Sequence, residues 1–304
     1  MNVASPTLSA LPAAVLFDFD GTLANYAALV MGVRKLIVGK LISQCYPPII
    51  EPDYDLPSEE FLKKTYGDTV PRDVMHTAIV TAWEEFAPQL QPGVLETLHY
   101  LKDRHIPFGI ISNTPQDVLE KAVRRTEIGK HFPNIFLRGL VKNKEDALKA
   151  ETETQWKQAR KPYFVGLQRA YYDLMHKEAK ENKKSLERLE VVPLTSDTIL
   201  YIGDTFVHDI HASHMAGWTP VHIDPDKPVK GVSLERRYVK DSQCVESDGR
   251  GIPHISISKL ADLEDVIQHF GVWRDRLEAM KPWREYWAEV VKPGVNYEGL
   301  GPLP

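Results

Sequence analysis

Cysteine is almost missing from this chain: Cys45 and Cys244 are the only two in 304 residues. They stand far apart and without metal-ligand spacing, which argues against a disulfide framework or a thiolate zinc centre and fits free thiols in a reducing, cytoplasmic compartment. Positive charge is not in excess either. The 37 Lys and Arg face 42 Asp and Glu, a net charge of −5, so nothing electrostatic points to nucleic acid or an anionic membrane as a partner. Even the densest basic stretch, Lys177 to Arg188, is interleaved with Glu178, Glu181 and Glu187 and reads as a solvated helix face. Long apolar runs are lacking as well. Leu8 to Leu16 is too short to span a bilayer and is broken by Pro12, and Met1 to Pro6 has no basic region of the kind that opens a secretory signal.

What the chain does have is an ordinary globular composition, 43% hydrophobic and 26% charged, with a length that suggests about two domains. Its most telling stretch runs from Val15 to Leu23. The apolar run Ala13 to Phe19 fits a buried strand, and Gly21-Thr22 breaks it. Asp18 and Asp20 sit at that break. An unpaired buried carboxylate is costly, so two at the tip of a core strand require a metal, a hydrogen-bond network or a chemical task. Side chains alternate along a strand, but the chain is already turning at Asp20, so both can face one pocket from different angles. One can attack while the other handles a proton.

Three further segments carry chemistry. Pro107 to Ser112 reads as a strand, followed by Asn113-Thr114-Pro115 and a helix from about Gln116. Ser112 can hydrogen-bond a phosphoryl oxygen with help from the N–H groups that follow, although the same tripeptide also suits a plain strand-to-helix turn. Ala159-Arg160-Lys161-Pro162 offers a lysine as a compact positive charge, and the bland alternative is a solvated surface lysine. Thr198 to Ile202 reads as a strand that ends in Gly203-Asp204, with Asp209 five residues further on. Carboxylates at a strand end and at the start of the next helix can converge on one divalent cation, and their oxygens suit Mg²⁺. His208, His211 and His214 recur at steps of three, which spreads them over a broad arc of a helix instead of converging them on zinc. His208, between the two acids, is a candidate for substrate contact.

Taken in order, Asp18 to Leu23, Ser112-Asn113, Lys161-Pro162 and Gly203 to Ile210 with the helix ending at Ala216-Gly217 resemble the four motifs of the haloacid dehalogenase superfamily of phosphohydrolases. The resemblance covers about residues 13–225 and continues more weakly to about 270. It implies an α/β fold with a doubly wound, Rossmann-like parallel sheet, and a Mg²⁺-dependent phosphatase acting on a small phosphorylated metabolite through an aspartyl-phosphate. It further implies that Asp18 is the nucleophile and that Asp20 protonates the leaving oxygen and then deprotonates water. Mg²⁺ would be held by Asp18, the backbone carbonyl of Asp20 and Asp204, with Asp209 beside them. The phosphate would rest on Ser112, Asn113 and Lys161. An acid at position 20 tells against the dehalogenase and carbon–phosphorus branches of the superfamily, which differ there. A sugar-phosphate mutase shares all four motifs and stays open, as does a non-catalytic interaction protein built on this fold. Asn25 stands where many relatives have another Asp.

Organisation follows from the spacing. About ninety residues separate Asp18 from Ser112, more than one crossover needs. The intervening chain reads as helices over Tyr26 to Ile42, from Ser58, and over Pro71 to Phe86, where Val74, Ala78, Ala82 and Phe86 have helical spacing. A Pro-rich loop, Tyr46 to Pro57, interrupts them. This resembles the family's helical cap, inserted after the first strand to shield the site from water. The expected division is therefore a core over 1–25 and 91–270, a cap over 26–90 and a helical extension over 271–304. Arg34, Lys35, Tyr54 and Arg72 are candidates among the cap side chains that would choose a substrate, with no signature in them that names it. The charged stretch 143–160 and a long helix over Tyr163 to Leu189 read as surface elaborations. In the tail, Trp273, Leu277, Met280, Trp283, Trp287 and Val290 recur at three- and four-residue steps. That apolar face must be covered, by the chain's own core or by a second copy in a homodimer.

Overall fold

The first strand, β1 (Ala14–Phe17), is buried along its whole length. Because side chains alternate, Val15 and Phe17 enter one hydrophobic layer, and Ala14 and Leu16 enter another. A strand buried on both faces belongs inside a sheet that is covered on both sides. The computed structural model, which describes residues 11–53, 58–139, 164–181, 197–225, 230–237 and 252–280, places it there. The other strands are β2 (Phe108–Ser112), β3 (Phe136–Gly139), β4 (Ile199–Gly203), β5 (Thr219–Ile223), β6 (Ser233–Arg237) and β7 (Ile252–Ile257). Their order is β3-β2-β1-β4-β5-β7-β6. All neighbours pair in parallel except β6, which runs antiparallel to β7. The chain moves outward from β1 through β2 to β3 and then returns to lay β4 on the other side of β1. Such a reversal opens a crevice beyond the carboxyl ends of the central strands. This is the expected doubly wound α/β architecture.

Between β1 and β2 lie α1 (Tyr26–Ser43), α2 (Ser58–Tyr66) and α3 (Arg72–Glu85). They share a hydrophobic cluster of their own that includes Val33, Ile37, Leu41, Phe61, Tyr66, Ala78 and Ala82. Asn25 starts α1 as its N-cap, its side-chain oxygen accepting the Ala28 N–H at 3.1 Å. Arg34 is buried with its guanidinium 5.2 Å from the centre of the Phe61 ring. It is packed beside the helical cluster. Tyr54 lies outside the described residues. The chain leaves and re-enters the sheet side by side: Asn25 N–H donates to the Gln89 carbonyl, and Gln91 N–H donates to the Leu23 carbonyl, each at 2.8 Å.

One sheet face is covered by α4 (Val94–Asp103), α5 (Gln116–Arg124) and α6 (Glu127–His131), together with Leu263–Gln268 and Phe270–Ala279 near the end of the chain. The other is covered by α7 (Phe164–Glu181) and the short α8 (Ala212–Met215). Over Phe164–Glu181, helix α7 corrects the reading of Tyr163 to Leu189 as a surface elaboration; 182–189 lie outside the described residues. Its residues Leu167, Ala170, Tyr171, Leu174 and Met175 form one buried stripe against Ala14, Leu16, Ile111, Ile199 and Tyr201. Burial there pushes the Tyr171 phenol up to about 12. In the last helix, Leu277 is buried and Trp273 packs against the core while its Nε1–H donates to Asp265 Oδ2 at 3.2 Å. Trp283, Trp287, Val290 and the stretch 143–160 lie outside the described residues. Among the described residues no helix is long and apolar enough to cross a membrane.

If α7 is a core helix, Leu174→Ala should lower the unfolding free energy by about 2–5 kcal/mol in denaturant titration. A loss within about 0.5 kcal/mol would return the helix to the surface.

Candidate active site

Three strand ends meet at the crevice, and backbone bonds set their spacing. The Asp18 N–H donates to the Ile202 carbonyl at 2.8 Å, extending the β1–β4 ladder by one step and bringing Asp18 beside Gly203-Asp204. The chain then turns at Gly21, whose φ is +87°. A Cβ on Gly21 would stand 2.1 Å from Asp204 Oδ2, so only glycine lets the turn close on that carboxylate. Gly203 serves in the same way for Asp209: a Cβ on it would fall 2.2 Å from the Asp209 Cβ.

Asp209 is carried by Phe206–His211, which is a π-helical turn instead of the expected opening of an α-helix. The Ile210 N–H reaches back five residues to the Thr205 carbonyl at 3.4 Å, and such widened turns are frequent at functional sites. Asp209 Oδ2 accepts the Thr205 N–H at 2.9 Å, and the buried Tyr201 hydroxyl, 3.2 Å from the Ile111 carbonyl, lies 3.5 Å from Oδ1.

The outcome is that one carboxylate oxygen from each of Asp18, Asp204 and Asp209 lies within 4.8 Å of the others. Asp18 and Asp209 are buried, and Asp204 is half-buried. Like charges so close repel by at least about 3 kcal/mol per pair at an effective dielectric of about 20. A set of hard carboxylate oxygens under that strain fits a divalent cation such as Mg²⁺.

Asp20 does not join this group. Its Oδ2 accepts the Thr114 hydroxyl at 2.7 Å and the Ser112 hydroxyl at 3.3 Å. The Ser112 oxygen in turn accepts the Thr114 N–H at 3.0 Å, which closes a small turn at the end of β2. The two acids of the first motif are thus divided, Asp18 toward the other carboxylates and Asp20 toward hydroxyls. Thr114 escaped the sequence reading, which took it as part of a plain turn. The available signal was a second hydroxyl two residues beyond Ser112.

A cavity of about 350 Å³ is lined by Asp18, Asp20, Ser112, Asn113, Asp204, Thr205, His208 and Asp209, a volume in the range of small-molecule sites. It gathers every described residue that the motifs singled out. Lys161 lies outside the described residues. Among the described residues the lining comes from the ends of β1, β2 and β4 and the turns that follow them. His208 borders the cavity, while His211 and His214 are buried. Burial pushes the His211 imidazole below its usual range, which favours the neutral ring. Among the described residues no histidine joins a group with metal-ligand geometry.

The model of haloacid dehalogenase-like hydrolases matches residues 15–166 of this chain. No curated protein matches it. Solved structures resemble it over most of its length at low identity. A protein described as a candidate HAD-hydrolase, YfnB from Bacillus subtilis, has a TM-score of 0.51 and 17% identity, covering 85% of this chain and 99% of its own. A HAD-superfamily hydrolase from Ehrlichia chaffeensis has a TM-score of 0.43 and 17% identity, covering 86% and 98%. A protein described as a candidate beta-phosphoglucomutase from Thermotoga maritima has a TM-score of 0.49 and 18% identity, covering 84% and 98%. With the model matched over half of the 304 residues and the Bacillus structure sharing its fold, this chain belongs to the haloacid dehalogenase-like hydrolase family.

Proposed function

We propose that this chain is a Mg²⁺-dependent phosphatase that hydrolyses a small phosphomonoester through an aspartyl-phosphate on Asp18. The observation that carries the reading is the division of the first motif's carboxylates. Asp18 stands with Asp204 and Asp209, and Asp20, which borders the same cavity, is held by Thr114 and Ser112.

Asp18, the Asp20 backbone carbonyl, Asp204 and Asp209 would hold the cation, whose charge, when bound, keeps an anionic nucleophile and an anionic phosphate from repelling. The Bacillus subtilis protein of the same fold was determined bound to magnesium, which supports that choice. A carboxylate oxygen of Asp18 attacks phosphorus while the bond to the ester oxygen breaks. Asp20 gives its proton to the departing oxygen, so an alcohol leaves. As a carboxylate, Asp20 then takes a proton from water, whose oxygen attacks phosphorus and frees Asp18 with release of inorganic phosphate. Thr114, the closer donor to the Asp20 oxygen, fixes the rotamer that both transfers use, and the single Ser112 hydroxyl hydrogen turns from Asp20 to the phosphate when substrate binds.

Ser112 and Asn113 hold the phosphoryl oxygens from the end of β2, and Lys161 supplies compensating positive charge. Residues 26–90 act as a cap over the cavity, whose size suits a small phosphorylated metabolite. A binding scaffold has no use for a complete acidic set of this kind, which favours chemistry. The exposed free thiol of Cys45 suits a reducing compartment.

Phosphate release from a panel of phosphomonoesters should require Mg²⁺ and stop on chelation. Asp18→Asn should lower it by at least about a thousandfold. Equal rates for intact and Asp18→Asn protein would end the aspartyl-phosphate reading. Thr114→Val removes a bond to a charged group, so kcat should fall about ten- to a hundredfold with KM nearly unchanged. A rise in KM alone would instead assign Thr114 to substrate binding.

A further inference from the structure

The outer half of the sheet carries a buried row of polar residues that the reaction just described does not use. On β5, Val221 and Ile223 point into the apolar layer, and on β7 Ile255 and Ile257 do the same. The alternating positions between them, His222, His254 and Ser256, face the other side and are all buried. Pairing aligns Gly203 with His222, His222 with Ser256, Ser256 with Ser233, and His254 with Glu235. The row runs from the end of β4, where the acidic group sits, to the edge strand β6.

An imidazole in the middle of a covered sheet costs stability unless it makes a specific bond. The bond made by His222 is directed at the site. Its Nε2 lies 3.0 Å from the backbone carbonyl oxygen of Asp204. A carbonyl only accepts, so Nε2 carries the hydrogen and donates. Asp204 lies one residue beyond β4, past the β4–β5 pairing that ends at Gly203 and His222, and a side chain supplies the donor there. The imidazole is held in turn. Phe206, the first residue of the π-helical turn, stands edge-on to His222 at 6.3 Å and to His254 at 5.4 Å between ring centres. His254 packs edge-on against His222 at 5.7 Å and is fixed by Nδ1–H donation to the Ile252 carbonyl at 3.0 Å.

We infer that His222 is a positioning residue for Mg²⁺ binding: its Nε2–H bond to the Asp204 carbonyl holds the end of β4 so that the Asp204 carboxylate meets those of Asp18 and Asp209. The inference rests on the metal-dependent reading above. Without that bond the Asp204 peptide can rotate, and the three carboxylates lose their preset convergence against their own repulsion. Cation affinity falls first, and turnover at saturating Mg²⁺ changes less.

Glutamine and asparagine separate this role from mere packing. The Gln amide nitrogen reaches about where Nε2 stands, whereas the Asn nitrogen stands about where Nδ1 does. Titration calorimetry of the full chain with MgCl₂ should show that His222→Asn weakens Mg²⁺ binding about tenfold, the scale of one lost hydrogen bond. His222→Gln should stay within about threefold of the native protein. In phosphate release, His222→Asn should raise half-saturating Mg²⁺ to match, with kcat at saturation within about threefold. A native-strength His222→Asn, or a His222→Gln as weak as His222→Asn, would overturn the positioning role alone. Native protein that binds no Mg²⁺, or binds it undiminished as Asp204→Asn, would overturn the metal-dependent reading and this inference together. Should His222→Asn fail to fold, ¹⁵N spectra of the native histidine rings decide. An Nε2–H tautomer at His222 that shifts with the calorimetric midpoint supports the role, and an Nδ1–H tautomer or a signal indifferent to Mg²⁺ overturns it.

Discussion

The mutual repulsion of Asp18, Asp204 and Asp209 is the constraint around which the described structure is organised. Three carboxylate oxygens within 4.8 Å of one another will drift apart unless the backbone forbids it. Here the restraints come from elements distant in sequence. The Asp18 amide is bonded to Ile202, the Gly21 turn closes on Asp204, and Asp209 folds over Gly203 and is held by the Thr205 amide. A sheet with apolar layers on both faces makes those restraints stiff, because its strands cannot slide without breaking the packing of Val15, Phe17, Leu16 and Tyr201. Negative potential is thereby concentrated at one point of the crevice and is available to a cation.

Around that point the fold separates functions by strand. β1 supplies both acids, β2 supplies the hydroxyls that restrain one of them, and β4 with its π-helical turn supplies the partners of the other. The widened turn has a geometric use. It keeps Phe206 against the two buried imidazoles while Asp209 turns inward and His208 borders the cavity. Each side chain is thus aimed by a different local device, and none relies on a long flexible stem.

The core of this arrangement was legible in the sequence because it is anomalous there. Aspartates at the ends of apolar strands, two of them beside Gly21 and Gly203, conflict with simple burial, and that conflict marks Asp18, Asp20 and Asp204. The apolar stripe of α7 was harder to see because Lys177, Glu178, Lys180 and Glu181 lend its far end the look of a surface helix. Thr114 and His222 were not legible for a different reason. Their value lies in partners 94 and 18 residues away, and no local pattern encodes such distances. The π-helical register of Phe206–His211 depends on which carbonyl the Ile210 amide chooses, a choice that side-chain periodicity does not report. The burial of Arg34 beside Phe61 was not legible either, because a charged residue in a helix gives no local sign of which neighbour covers it.

The paired connections at Leu23–Asn25 and Gln89–Gln91 carry an evolutionary consequence. Because the outgoing and returning chains are bonded to each other next to Asp20, the core closes across the insert as if it were a hairpin, and the helices beyond answer mainly to their own cluster. Length and sequence there can drift, duplicate or be replaced while the carboxylates of the crevice keep their places. With those helices as the proposed cap, lineages built on this plan acquire new substrates by exchanging one continuous gene segment.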